Sequence, residues 1–310
     1  MACAVIRWAL LAVVLSTGAH ARTLEVGENK DFKMPSAAAA AAKDGDHVII
    51  QPGEYYDCAV WTASKLVVEG VGDPAKVVIT DKACQGKALF VTVGEGITVR
   101  NLTLTRARVP DGNGAGIRGE GKDLVVDGVR FINDQNGILS GTTGGSMIVR
   151  NSLFDGNGRC DTSCAHGLYV GNLDLLQVQG TRFVGTKQGH HIKSRARTTE
   201  VADCTIEDGP EGTASYEVEI PNGGSVVIRG STIEKGPKAE NHSGAIVIGA
   251  EGVTQPTREI TIENNTFRND GSWQTVFVIN HTATEAILRD NQLAGPVKPL
   301  RGDGQVIAGR

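Results

Sequence analysis

Large aromatic side chains are scarce in this sequence: Phe, Trp and Tyr make up 5% of its 310 residues, with Trp 3, Tyr 4 and Phe 7. That scarcity excludes a continuous aromatic platform for stacking sugars, and it leaves the core poor in large side chains. Runs of Lys and Arg are also missing. The 31 cations are spread along the chain against 35 anions, which argues against nucleic acid or a membrane surface as partner. No apolar run reaches the roughly 18 residues of a membrane span. Trp8 to Leu15 follows Arg7 and leads to Ala19-His20-Ala21, so residues 1–21 read as a secretory signal peptide cleaved after Ala21. Cys3 has no apolar run before it and does not read as a lipoprotein cysteine. The mature chain, residues 22–310, is then exported to the periplasm or the medium, with 30 Lys and Arg against 35 Asp and Glu.

Of the six cysteines, five lie beyond this leader, where disulfides can persist. Cys160 and Cys164 share one polar loop and are natural partners. Cys58 and Cys84 lie one repeat apart and could staple neighbouring coils. A zinc site at Cys160, Cys164 and His166 ranks below the disulfide, because no second Cys pair follows. Cys204 falls in an inward column with Ser152, Thr181, Ser231, Asn265 and Asn291, which suits a core thiol.

What the sequence has in abundance is glycine, 40 residues, and much of it is periodic. Nine segments share an aliphatic-x-small/polar pattern: Val68-Glu69-Gly70, Val99-Arg100-Asn101, Val126-Asp127-Gly128, Val149-Arg150-Asn151, Val178-Gln179-Gly180, Val201-Ala202-Asp203, Ile228-Arg229-Gly230, Ile262-Glu263-Asn264 and Leu288-Arg289-Asp290. Successive segments are 31, 27, 23, 29, 23, 27, 34 and 26 residues apart. The third column holds only Gly, Asn or Asp, which tolerate the left-handed backbone that a bend between short strands requires. Three residues on, Leu104, Phe131, Phe154, Phe183, Ile206, Ile233 and Phe267 point inward. A third strand follows in each repeat, centred on Ile117, Ile138, Leu168, Ile192, Val218, Ile246 and Phe277. Three short strands per repeat, stacked in parallel, predict an all-β, single-stranded right-handed parallel β-helix of about nine to ten coils. Residues 34–43, rich in Ala after Pro35 and Ser36, predict a helix capping the first coil. Residues 296–310 carry little pattern and are expected to form an irregular tail.

The cap helix, the opening from Gly45-Asp46 to Tyr55 and the Asn/Gly/Asp bend column make the mature chain resemble the β-helix proteins of the pectate-lyase-like superfamily. That group contains lyases, hydrolases, epimerases and non-catalytic proteins, so the resemblance implies a fold more sharply than a reaction.

Chemistry-bearing residues concentrate on two rungs. If neighbours of each central apolar residue face solvent, Gly167, His191, Glu217 and Ala245 form one exposed column. Tyr169, Lys193, Glu219 and Val247 form the next. With coils ~4.8 Å apart and alternate residues ~6.8 Å apart, Tyr169, His191, Lys193, Glu217 and Glu219 fall in one patch. Arg195 extends it. His166, His190, Arg197 and Tyr216 flank it as substrate contacts, and His242 can overhang it from the Lys235–Ser243 loop. An electrostatic ladder pairing Lys193 with Glu219 and His191 with Glu217 is the structural alternative, worth roughly 0.2–1 kcal/mol per pair, but it leaves Tyr169, the doubled His and Arg195 unexplained.

The expected substrate is an acidic, uronate-containing polysaccharide, cleaved by β-elimination. In this scheme Lys193 or His191 is the base, Arg195 holds the carboxylate and Tyr169 protonates the leaving oxygen. Glu217 and Glu219 are candidate ligands for Ca²⁺. The set is similar to β-helical alginate and chondroitin lyases that use Lys, Arg and a Glu-x-Glu calcium site, although there the Lys follows the Glu pair. A hydrolase using Glu217 and Glu219, a uronate epimerase and a non-catalytic glycan-binding rod are the alternatives. Hydrolysis ranks lower because Lys193 and His191 would keep both carboxyls ionised.

Overall fold

The computed structural model describes residues 21–161 and 163–307; the leader expected at 1–21 lies outside them but for Ala21. The chain winds through three parallel sheets in turn. Within a coil, a first-sheet strand such as His47–Ile50 is followed by a second-sheet strand, Gly53–Tyr55, and a third-sheet strand, Ala59–Trp61. Repetition builds sheets of twelve, ten and ten strands, in which each strand pairs with its counterpart one coil away. Every pairing between these sheets' strands is parallel and in register, as in Val126↔Val149 and Phe131↔Phe154.

The bend column explains why the chain can turn between the first and second sheets. Asn101, Gly128, Asn151, Gly180, Asp203, Gly230, Asn264 and Asp290 all adopt φ between 51° and 64°. Gly70 is the exception. It does not have a left-handed φ, and glycine is needed there because a Cβ would lie 2.1 Å from the Asn101 carbonyl oxygen. Beyond the bend, Phe131, Phe154 and Phe183 are fully buried and stack at centroid spacings of 4.5 Å. The inward polar column is equally regular. Cys204, Ser231 and Asn265 pass hydrogen bonds up the rod, Cys204 N to Ser231 Oγ at 3.1 Å and Ser231 N to Asn265 Oδ1 at 2.9 Å.

A helix at Pro35–Ala41 caps the first coil, burying Pro35, Ala38 and Ala39. Both expected disulfides form, Cys58–Cys84 and Cys160–Cys164, and the second removes the thiols that a zinc site would need. Trp61 is fully buried against Phe90. The tail is not irregular: Val297–Arg301 and Gly304–Ile307 extend the third and first sheets. These strands continue the ladder because backbone pairing needs no side-chain pattern.

The third sheet departs from strict alternation. Its register runs Ile117↔Ile138↔Leu168↔Ile192↔Val218↔Ile246↔Val278, so Val278 and not Phe277 continues the central column. The residue before each central one turns inward as well. A Cβ on Gly116 would sit 2.7 Å from Phe131 Cδ1, and one on Gly137 would sit 2.5 Å from Phe154 Cδ1. Further along the sheet this corner position holds His191 and Glu217, both fully buried.

Candidate functional site

That corner divides the expected patch in two. His191 and Glu217 are both 0% exposed, so neither can meet a polymer. His191 lies between Thr186 Oγ1, 2.8 Å from Nδ1, and Asp208 Oδ1, 3.0 Å from Nε2. Glu217 Oε1 lies 3.2 Å from Lys235 Nζ, which also donates to the Ser215 carbonyl at 3.0 Å. Burial pushes the Glu217 carboxyl up to about 8 against the opposing pull of Lys235. His191 therefore leaves the list of candidate bases. Glu217 and Glu219 face opposite sides of the sheet and cannot chelate one Ca²⁺. Among the described residues, no group of three or more His, Cys, Asp or Glu is arranged to hold a metal.

The outward half stays together on the third sheet. Tyr169 pairs in register with Lys193, and Lys193 with Glu219. Lys193 Nζ lies 2.7 Å from Glu219 Oε2 and 2.8 Å from Glu251 Oε1. Burial disfavours the charge of Lys193, but the two carboxylates outweigh it and raise its pKa above the ordinary lysine value. Lys193 is thus a persistent cation, which removes it as the base. Burial likewise pushes Glu219 up, but His190 and Lys193 prevail and hold it at about 2.

Arg195 closes the cluster. Its Nε donates to Tyr169 Oη at 2.8 Å, one terminal nitrogen donates to Glu251 Oε2 at 2.6 Å, and the other contacts Asn222 Oδ1. Lys193 Nζ and Arg195 Cζ lie 5.8 and 5.7 Å from the Tyr169 ring centroid, in range of a cation–π contact. Beside them His166, His190 and Tyr216 stack across three coils, with centroids 4.8 and 5.2 Å apart. His166 Nδ1 accepts from the His190 amide at 3.0 Å, and His190 Nδ1 from the Tyr216 amide at 3.2 Å. Those bonds leave the proton of each neutral ring on Nε2. His190 Nε2 is 3.0 Å from Glu219 Oε2. Burial lowers both histidines' pKa, and nearby cations add to it; at His190 Glu219 pulls the other way without reversing the direction.

Two expected contributors stand apart. Arg197 is exposed, with Asp174 Oδ1 3.5 Å from its Nε as a surface pair. His242 stacks on Trp273 at 3.6 Å and makes no hydrogen bond to the cluster. Two unexpected residues join it, Asn222 and Glu251. Glu251 comes from the loop between Gly244–Ile248 and Ile260–Glu263. Its trace in the sequence is the 34-residue step from Ile228 to Ile262, the longest in the repeat, which marks an insertion without saying where it folds. Along the same outer face the rungs on either side are mostly apolar: Ala88, Val91, Ala115 and Leu139 below, with Arg118 the one charged member of that column, and Val247, Val276 and Ile279 above. The polar cluster is local.

A family description, right handed beta helix region, matches residues 160–300, which include the whole cluster. The fold is a right-handed parallel β-helix. Solved structures share it along most of the rod. An alginate lyase from Paenibacillus sp. str. FPU-7 superposes with a TM-score of 0.60 at 16% identity, covering 91% of this chain and 99% of that one. A pectin methylesterase from Aspergillus niger gives 0.54 at 14% identity, over 83% and 87%. The catalytic unit of a GH87 α-1,3-glucanase from Streptomyces thermodiastaticus strain HF3-3 gives 0.51 at 14% identity, over 88% and 64%. No curated protein is similar to the chain in sequence. At these identities the likeness is one of fold, and the β-helix carries lyase, esterase and hydrolase chemistry among these three neighbours alone.

Proposed function

We propose that this β-helix is an exported protein that cleaves a uronate-containing polysaccharide by β-elimination, with Tyr169 as the proton-transfer group. The observation that carries the reading is the Arg195 Nε to Tyr169 Oη hydrogen bond of 2.8 Å inside a cluster that also presents Lys193. β-Elimination breaks the C5–H and C4–O4 bonds of a uronate and forms a C4–C5 double bond. The electrons released from C5 spread onto the neighbouring carboxylate, so cations must face that group. Lys193 and Arg195 do so as fixed positive charges. Arg195 also donates to the Tyr169 oxygen, which places a cation beside the atom that exchanges the proton. As phenolate Tyr169 takes the C5 proton, and as phenol it returns the proton to O4, so the step balances without a second base. His166 offers an Nε2–H donor to a substrate hydroxyl, while the Nε2–H of His190 is taken by Glu219.

Hydrolysis fits the same groups less well, since it needs one carboxyl kept protonated. Glu219 is held at about 2, and Glu251 is lowered too, where Lys193 and Arg195 overcome its burial. The two disulfides and the polysaccharide-acting neighbours support export.

A panel of uronate polymers, followed by the absorbance of the unsaturated product, tests the reading. Tyr169→Phe should lower turnover by about 10²–10⁴-fold with the melting temperature unchanged. New reducing ends without that absorbance would favour hydrolysis, and binding without either product would leave a non-catalytic rod.

A further inference from the structure

We infer that Glu251 is a displaceable latch: its carboxylate occupies the place where Lys193 and Arg195 receive the carboxylate of a uronate ligand. The inference rests on the uronate reading of the site and adds a control to it.

The geometry is that of an internal surrogate. One Glu251 oxygen lies 2.8 Å from Lys193 Nζ and the other 2.6 Å from an Arg195 terminal nitrogen. A single carboxylate thus bridges both cations, as a substrate carboxylate must. Among the described residues the Glu251 side chain has no other hydrogen-bond partner. Its exposure also differs from that of its neighbour: 42% for Glu251 against 6% for Glu219. Moving Glu251 into water therefore carries little desolvation cost, whereas Glu219 is built into the floor.

The loop does not have to open. Its backbone is held independently of the carboxylate, by Glu251 N to Pro221 O at 2.9 Å and by the Thr254 and Gln255 amides to Asn222 O at 3.0 Å. Gln255 Nε2 adds a 3.3 Å bond to Asn172 Oδ1. A rotamer change is sufficient to clear the cations. Once Glu251 swings out, Lys193 keeps Glu219, while Arg195 is left with no carboxylate partner, only Tyr169 Oη and Asn222 Oδ1. An incoming carboxylate restores the lost charge balance, and a neutral sugar cannot. Glu251 in this way makes occupation of the site conditional on an anionic ligand.

The test is titration of the wild-type protein and Glu251→Gln with D-galacturonate and D-glucuronate, with D-galactose and D-glucose as uncharged counterparts. A latch closed nine-tenths of the time weakens apparent affinity about tenfold. Glu251→Gln should therefore bind the uronates about tenfold more tightly than wild type, with no gain for the neutral sugars. Lys193→Ala/Glu251→Gln should lose that gain. Equal uronate affinity in wild type and Glu251→Gln, or an equal gain for glucose and galactose, overturns the latch. If Glu251→Gln gains uronate affinity while no polymer is cleaved, the lyase reading fails and the latch stands. If polymers are cleaved and Glu251→Gln changes neither affinity nor KM, the reverse holds.

Discussion

Glu217 and Glu219 sit two residues apart on the strand Tyr216–Ile220, yet burial drives the first up to about 8, while His190 and Lys193 overcome burial and hold the second at about 2. The difference comes from the corner at Glu217, which turns that side chain inward beside Lys235, both fully buried. A carboxyl held up at about 8 is largely protonated at pH 7, so Glu217→Gln removes no counter-charge from Lys235 there. Keeping Glu217 buried requires proton uptake between its ordinary 4.5 and about 8, so wild-type stability should fall as pH rises across that window and that of Glu217→Gln should fall less. Equal pH slopes for the two proteins in urea unfolding would contradict the shift. Glu219 makes the opposite contribution to pH stability. Its folded value lies below the ordinary 4.5, so its stabilisation is complete above about 4.5 and is lost as pH falls toward about 2. Melting temperatures across that window should fall for wild type and change less for Glu219→Gln.

Among the elements, the bend between the first and second sheets was legible because its chemistry is local. A backbone at φ near 55° admits Gly, Asn and Asp, and the column holds nothing else. Asn264, at φ 56°, makes no side-chain hydrogen bond among the described residues that would complicate a substitution. Asn264→Val should cost about 1–3 kcal/mol in denaturant midpoint measurements, whereas Asn264→Gly should be nearly neutral. The third-sheet corner was not legible from alternation, since both Ile192 and the residue before it point inward. A trace of it existed in Gly116 and Gly137, where a Cβ would run into Phe131 and Phe154, at the position that later holds His191 and Glu217. Reading that trace requires knowing which residues face one another, and pairing between coils supplies that information.

For the molecule as a whole, stability is shared between neighbouring coils, so damage at one end should stay there. Cys58–Cys84 closes 26 residues of sequence, and Cys58→Ser/Cys84→Ser should lower stability by about 3 kcal/mol. Hydrogen exchange should then accelerate in the coils below residue 110 and remain unchanged at His190–Ser194. Acceleration throughout the rod would show that it unfolds as one unit.

By itself the sequence determined the coil: its period, its left-handed bends, the inward Phe column, the capping helix and the two disulfides. Each of these follows from steric rules acting within one repeat or between adjacent ones. It also located the rungs where chemistry gathers. Only the tertiary structure decided which of those groups share a face, because a corner at one backbone position sent His191 and Glu217 into the core and kept Lys193, Glu219 and Tyr169 on the outer side of the third sheet. It likewise decided what Lys193 can do. Whether a lysine is a base or a fixed cation depends on the charges within a few ångströms, and one of those, Glu251, arrives from a loop 58 residues away.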